Sequence, residues 1–359
     1  MPQPTLSDVH VNALLTDMSN MYSQDQRNFI ARDVFPILPV PKISDRYAVF
    51  SRADFNRNQM AKRAPGTTVK MIGYRVDLNS TYVCDVWALG KPIDDQIRGN
   101  ADSVFNLDAE ATQLLTMQSL INREYAWMST YFVPGVWTNL WTGGATAGAS
   151  YPSTPPPSTA SSYTFQFWSN PSSTPIQDVR KMKQLIQLTC GLRPNKMVIG
   201  RQVLDVLLDH PEFVDRVKYG QTAPDPAQVV LNTLAQLFEM KTVHVSDAIY
   251  NTATEAAGPD SGAAWQPPSY NAGINAGEAN VFIAGPNVWI GYTPDRPGLQ
   301  TPGCGYTFAW NGYFGATQAG ERITSYYFEP DRSTHVEIES AYVHKIISPD
   351  LGGFFQGCI

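Results

Sequence analysis

The sequence predicts an α+β protein, on three observations. Residues 107–132 carry one long apolar stripe, in which Leu107, Ala111, Leu114, Gln118, Ile121, Tyr125, Met128 and Phe132 recur at spacings of four and three, the mark of a single helix face. Residues 334–347 alternate instead, with Val336, Ile338 and Tyr342 set against Glu337 and Glu339, the period of a half-buried strand. Between these, residues 174–250 read as a compact α/β unit of short helices and strands.

Taken in chain order, residues 1–45 read as an arm. A short helix is expected over 9–18. The run FIARDVFPILPVPK follows over 29–42, where Pro36, Pro39 and Pro41 forbid a helix and spoil a central strand. The apolar residues between these prolines need cover. The segment is therefore expected to lie along a surface that it did not build.

Residues 46–79 read as one long hairpin with strands over 46–57 and 68–79, joined by a polar link with Pro65-Gly66 as the turn. Strands of this length reach about 40 Å at roughly 3.3 Å per residue. An isolated hairpin is marginal in water, so this one is expected to rest on another subunit. Charge supports that. From Val40 to Arg75 there are eight Lys/Arg and two Asp/Glu, a net of +6, while the whole chain is −6, leaving −12 on the remainder. A basic arm and an acidic body suit head-to-tail contact between identical chains. The candidate contact residues are Arg46, Arg52, Arg57, Lys62, Arg63 and Lys70 on the arm, and Glu337 and Glu339 on the body.

Residues 81–90 read as a second extended stretch, followed by a polar link over 91–102. The helix over 107–132 has Asp108 and Glu110 in its first turn, where the helix dipole favours them, and Pro134-Gly135 stops it. Gln118 weakens its stripe. Residues 141–174 are low-complexity, with an aromatic cluster at Tyr163, Phe165, Phe167 and Trp168, and read as a loop-rich connection. Thr174-Pro175-Ile176-Gln177 and Asp225-Pro226-Ala227-Gln228 read as helix-opening capping boxes. Strands are expected at 196–200, 241–245, 281–285 and 288–292, with a small-residue loop over 251–280. Residues 303–315 read as a bulged loop with packed rings. Two strands over 322–329 and 334–347 flank the turn 330–333, and the chain ends in a Gly-rich tail.

Composition bounds the function. A chain of 359 residues with 43% hydrophobic content is long enough for two or three domains or one large one. Charged residues are only 16%, a polar, weakly charged surface that favours large contacts. Four scattered cysteines without a CxxC argue against a zinc site or disulfide framework. No secretory signal and no run of about 18 apolar residues is seen, so work in a reducing cytoplasm is expected, with no membrane partner. GxSxG, HExxH, P-loop and GxGxxG motifs are absent, so no catalytic residue, cofactor or metal is expected. His335, Glu337 and Glu339 share one strand face and are the nearest approach to a metal site, but read as an outward polar face. The acidic total argues against tight duplex binding.

The order of parts (arm, basic hairpin, long helix, loop-rich α/β unit, return strands) resembles the major capsid proteins of tailed bacteriophages, the Hong Kong ninety-seven type fold shared with encapsulins. The runs YAVFSRADFNRNQMAKRAPGT, GYRVDLNSTYVCDVWALGKPIDD, INREYAWMSTYFVPGVW and PIQDVRKMKQLIQLTCGLRPNKMVIG look like such coats. The resemblance implies an N-terminal arm at 1–45 and an extended loop at 46–79 that reaches over a neighbour. It implies a peripheral domain from 80–140 and 311–359 with 107–132 as its spine helix, the connection 141–174, and an axial domain at 175–310. It implies a structural subunit, not an enzyme, that self-assembles as pentamers and hexamers into the icosahedral head of a virion, built in the host cytoplasm around double-stranded DNA. A separate scaffolding protein, a portal and a decoration protein are the implied partners, since no cleaved scaffolding segment precedes the arm. Some relatives crosslink a loop lysine to a neighbour's asparagine; Lys62 and Lys70 are placed for this but are expected to stay unlinked. The alternatives are an encapsulin-like compartment shell and a metal-dependent hydrolase using His335, Glu337 and Glu339.

Overall fold

The structure is a computed structural model and describes residues 24–50, 52–100, 106–148, 151, 161–220, 231–252, 280–298, 301–312 and 320–359. The helix expected over 9–18, the capping box at 225–228, nearly all of the loop 251–280 and residues 313–315 lie outside these.

The long helix runs Leu107–Tyr131, with Asn106 as its N-cap accepting from the Ala109 amide at 3.1 Å. Its buried face is rotated from the one the stripe predicts. Ala111, Met128 and Phe132 are buried as expected, but Leu114 and Tyr125 are exposed, and Leu115, Arg123, Glu124, Trp127 and Tyr131 are buried instead. Two adjacent charged residues thus occupy the covered side, because each finds a partner there. Arg123 pairs with Glu321 at 2.7 Å and lies over the Tyr342 ring.

The helix lies on a five-stranded sheet. Its central strand is Ser333–Ile346, antiparallel to Asp85–Asp94 on one edge and to Glu321–Phe328 and Gly305–Trp310 in succession on the other. Val336, Ile338 and Ile93 pack under Ala111 and Leu115. Two expectations are corrected here. The polar link at 91–102 is strand as far as Asp94, with Pro92 tolerated on an edge strand, and then the helix Asp95–Asn100. The bulged loop at 303–315 contains the strand Gly305–Trp310.

A second sheet of six strands runs in the order Thr242–Ser246, Lys196–Gly200, Val288–Gly291, Gly352–Gln356, Asn139–Gly144 and Ser161–Gln166. The helices Pro175–Cys190 and Arg201–Leu208 pack on it, and Trp141, Phe165, Met182, Ile199, Val203 and Phe355 form the centre of its core. The Gly-rich tail is therefore no tail but a central strand. A Cβ on Gly353 would sit 2.8 Å from Met182 Sδ, and one on Gly352 would enter the Trp137 ring, so glycine is what lets the strand in. The low-complexity connection likewise supplies two strands of this sheet. The first capping box is also corrected. Thr174 makes no side-chain cap, and Glu212 accepts from the Ile176 amide at 3.2 Å instead.

The largest correction concerns the proline-pinned segment. Ile37–Val40 forms a parallel edge strand against Gly305–Trp310. Val34 and Phe35 have no exposed surface. Phe35 meets Trp127 edge-on at 5.4 Å, within a cluster that includes Trp137, Trp289 and Phe354. Residues 29–40 thus pack on their own chain, at the junction of helix and both sheets. Cover was needed, as the pattern said, and the chain provides it itself.

Candidate assembly interface

Residues 46–79 leave this body as a protrusion. Only its root is a hairpin. Ser44–Arg46 pairs with Thr81–Val83, and Val49–Phe50 with Val76–Asp77, all antiparallel. The two expected strands of twelve residues are not formed. A helical turn, Arg52–Phe55, replaces the first beyond Phe50, and residues 56–75 have no regular structure. A ladder out to the tip needs a buried face to fix it, and no such face exists within the chain.

The root has its own small fastenings. Phe50, Phe55 and Tyr74 meet with ring centres 5.8–6.2 Å apart. Arg75 grips the Asp54 carboxylate with its amide at 3.0 Å and its guanidinium at 3.2 and 3.4 Å. That pairing holds the Asp54 carboxyl below the usual carboxylate range. Under the root is a cavity of about 820 Å³ lined by Tyr47, Phe50, Tyr74, Leu192, Tyr306 and Phe308. The loop is hinged over open space, not packed down.

The candidate basic residues are spread along this protrusion. Arg46 ends the first root strand and lines the cavity. Arg52 opens the helical turn. Arg57, Lys62, Arg63 and Lys70 are exposed. Arg63 donates to the Thr67 carbonyl at 2.7 Å. The two acids of residues 40–75 are already engaged, Asp45 with Lys42 at 3.4 Å and Asp54 with Arg75. Arg57 adds a longer-range pull on Asp54, while Lys62 and Lys70 form no ion pair with a carboxylate among the described residues. The loop also exposes apolar groups: Met60 is 95% exposed, Met71 84% and Ile72 65%. Burying such a side chain is worth about 1.5–3 kcal/mol, so the loop carries a substantial unclaimed driving force for association. The charge count missed this second feature, although the methionines and Ile72 were there to read.

The acidic candidates lie on the far sheet. Glu339 pairs with Arg322 at 2.6 Å, and Glu337 accepts from the Tyr326 hydroxyl at 2.6 Å. His335 contacts Ser333 Oγ at 2.9 Å. The three share a face, but each turns to its own neighbour, and among the described residues no group of His, Cys, Asp and Glu is placed to hold a metal. No ion pair joins the loop to this face among the described residues. Glu339 is ion-paired with Arg322, while Glu337 meets the neutral Tyr326 hydroxyl. The same sheet shows apolar side chains along both outer strands, including Trp87 and Leu89 on one and Ile323, Tyr326 and Tyr327 on the other. Open strand edges that show apolar side chains of this kind invite a partner. No helix among the described residues is long and apolar enough to cross a membrane.

The body has cores of its own, while the loop and the apolar side chains of the outer strands stay exposed. Solved structures agree in fold. A phage-related protein from Bordetella bronchiseptica RB50 superposes with a TM-score of 0.62 at 18% identity, over 93% of each chain. The mature capsid of bacteriophage PhiM1 gives 0.56 at 13% identity, over 97% of this chain and 92% of that one. The capsid of cyanophage P-SCSP1u gives 0.55 at 10% identity, over 99% and 95%. The fold is that of tailed-phage capsids. Curated relatives carry the comparison further. The chain is 26% identical over 243 residues to the major capsid protein of Burkholderia phage BcepMu, covering 67% of this chain and 70% of that protein. It is 26% identical over 196 residues to the major capsid protein of Pseudomonas phage JBD67, covering 54% and 53%. No family model matches. The chain is a homologue of phage major capsid proteins and carries their fold.

Proposed function

We propose that the chain is the major capsid protein of a phage head, the repeated structural subunit of its shell. The observation that carries this reading is the loop. A body with the capsid fold and a core of its own bears a basic, apolar protrusion that nothing among the described residues covers. Laid over an identical neighbour, the loop brings Arg57, Lys62 and Lys70 to an acidic body and buries Met60, Met71 and Ile72. The neighbour's long sheet, with Glu337 and the apolar edges, is the surface offered. Each single contact is weak, and the closed shell adds many of them.

In this reading the spine helix and five-stranded sheet form the peripheral domain. The six-stranded sheet and its helices form the axial domain around five-fold and six-fold axes. Identical subunits make pentamers and hexamers, guided by a separate scaffolding protein and joined by a portal and a decoration protein. The shell encloses double-stranded DNA without sequence-specific contact, and is assembled in the host cytoplasm before becoming the head of the virion. The role is structural; no catalytic step is assigned.

Electron microscopy of the recombinant chain, alone and with its neighbouring genes co-expressed, tests the proposal. Closed icosahedral particles are expected in at least one condition. Monodisperse monomers in every condition would overturn it.

A further inference from the structure

Glu124 lies in the second half of the spine helix, with none of its surface exposed. Its Oε2 accepts the amides of Ile30 at 2.9 Å and Ala31 at 2.7 Å, and its Oε1 is 3.3 Å from the donating hydroxyl of Ser246. Ile30 and Ala31 begin the short helix Ala31–Val34 of the N-terminal segment. Ser246 ends the outermost strand of the six-stranded sheet. One carboxyl group therefore joins three parts of the fold: the N-terminal segment, the spine helix and the axial sheet.

The surroundings do not supply a counter-charge. On the spine helix itself, Arg123 is turned to Glu321 and Tyr342. The N-terminal segment contributes Asp33, a like charge, and the exposed Arg32. The sheet contributes His244, kept neutral by burial, and Asp247, which pairs with Arg201 at 3.7 Å. Lys196, on the adjacent strand, donates to the Asp33 carbonyl at 2.5 Å and the Val34 carbonyl at 3.2 Å. Among the described residues no cation lies within ion-pair distance of Glu124.

We propose that Glu124 is a proton-operated clasp, which seals residues 24–35 against the spine helix and axial sheet when protonated and loosens them when it ionises. The neutral acid also fits the site: the Ser246 hydroxyl turns from donor to acceptor and takes the acid's O–H, while Oε2 keeps both amides. On ionisation the O–H bond breaks and the proton leaves to solvent. The carboxylate is then held by two amides and a hydroxyl in a buried site, with no cation within ion-pair distance among the described residues, a costly state that is relieved when water enters as the segment lifts. Burial pushes this carboxyl up to about 7, against the three hydrogen bonds that favour the anion. Because the folded value lies above the ordinary 4.5, the clasp's contribution is fully present below about pH 4.5 and is lost as pH rises through about 7. The window falls where a modest change of pH resets the coupling between segment, spine and axial sheet.

Hydrogen exchange by mass spectrometry on the free full-length chain, corrected for intrinsic exchange rates, tests this between pH 5 and 8.5. Protection of the peptide 29–36 in the native chain is expected to fall by about tenfold or more as pH rises toward 7, and to level off above it. In E124Q it is expected to stay flat at the acid level, since the amide accepts both N–H groups and donates to Ser246. A flat native profile would overturn the clasp, as would an E124Q profile that falls like the native one. If E124Q does not fold, the native profile alone decides. The free chain is used throughout, so the result is independent of whether shells form.

Discussion

Two segments of this chain are each expected to need cover from elsewhere, and they meet opposite fates. Residues 29–40 are apolar and pinned by prolines, while residues 46–79 are polar and basic. The first is absorbed. Phe35 is fully buried against Trp127 and Trp289, and the strand Ile37–Val40 joins the five-stranded sheet. The second is left out, with Met60 and Met71 almost fully in solvent and a cavity under its root. The difference lies in where the apolar side chains find a complementary surface. For the first segment that surface is in the same chain. For the second, we propose, it comes from another copy.

This contrast sets the size of each expected effect. Phe35→Ala removes a ring from the junction of helix and both sheets, and is expected to destabilise the free chain by about 3–5 kcal/mol, read by denaturant unfolding. Met71→Ala and Ile72→Ala together are expected to change the same measurement by less than about 0.5 kcal/mol, while impairing shell assembly. A large loss of free-chain stability from the loop pair would mean that the loop packs on its own body.

Next in size is charge. Reversing Arg52, Arg57, Lys62 and Arg63 to Glu is expected to leave the circular dichroism of the free chain unchanged and to abolish closed particles in electron micrographs. Normal shells from this variant would reduce the loop's charge to a matter of solvation.

The body and the loop root also answer pH with opposite sign. Burial raises Asp178 to about 6, although it accepts from Tyr151 at 2.9 Å and Trp168 at 3.0 Å. Its folded value lies above the ordinary one, so its contribution is present in acid and is lost as pH rises toward 6. Asp178→Asn is expected to flatten part of the fall in melting temperature between pH 4 and 6.5. At the loop root, the Asp54 carboxyl is held low by Arg75. Its contribution is present above the ordinary carboxylate range and is lost as pH falls through its lowered folded value. Asp54→Asn, the smallest effect, is expected to leave the melting temperature unchanged and to speed hydrogen exchange only at residues 47–50 and 74–78.

Much of the architecture was legible because it rests on local pattern. The spine helix, the return strand Ser333–Ile346 and the strands Lys196–Gly200 and Val288–Gly291 stand within a residue or two of where periodicity put them. The failures share one physical cause, which is that long-range cover decided them. Gly352–Gln356 looks like a frayed end, and only its fit against Trp137 and Met182 makes it a central strand. Arg123 and Glu124 look like an exposed polar pair on a helix, and only Glu321, Tyr342 and the amides of Ile30 and Ala31 explain their burial. The loop's basic residues were legible from charge count. The formed length of its hairpin was not, because twelve-residue strands need a surface this chain does not contain.

The claim that the loop is covered by a neighbour is tested most directly by methionine oxidation footprinting of the free chain and of assembled shells. Met60 and Met71 are expected to oxidise as fast as fully exposed methionines in the free chain and many times more slowly in shells. The buried Met128 and Met182 are expected to be slow in both. Equal rates for Met60 and Met71 in the two states would contradict the account.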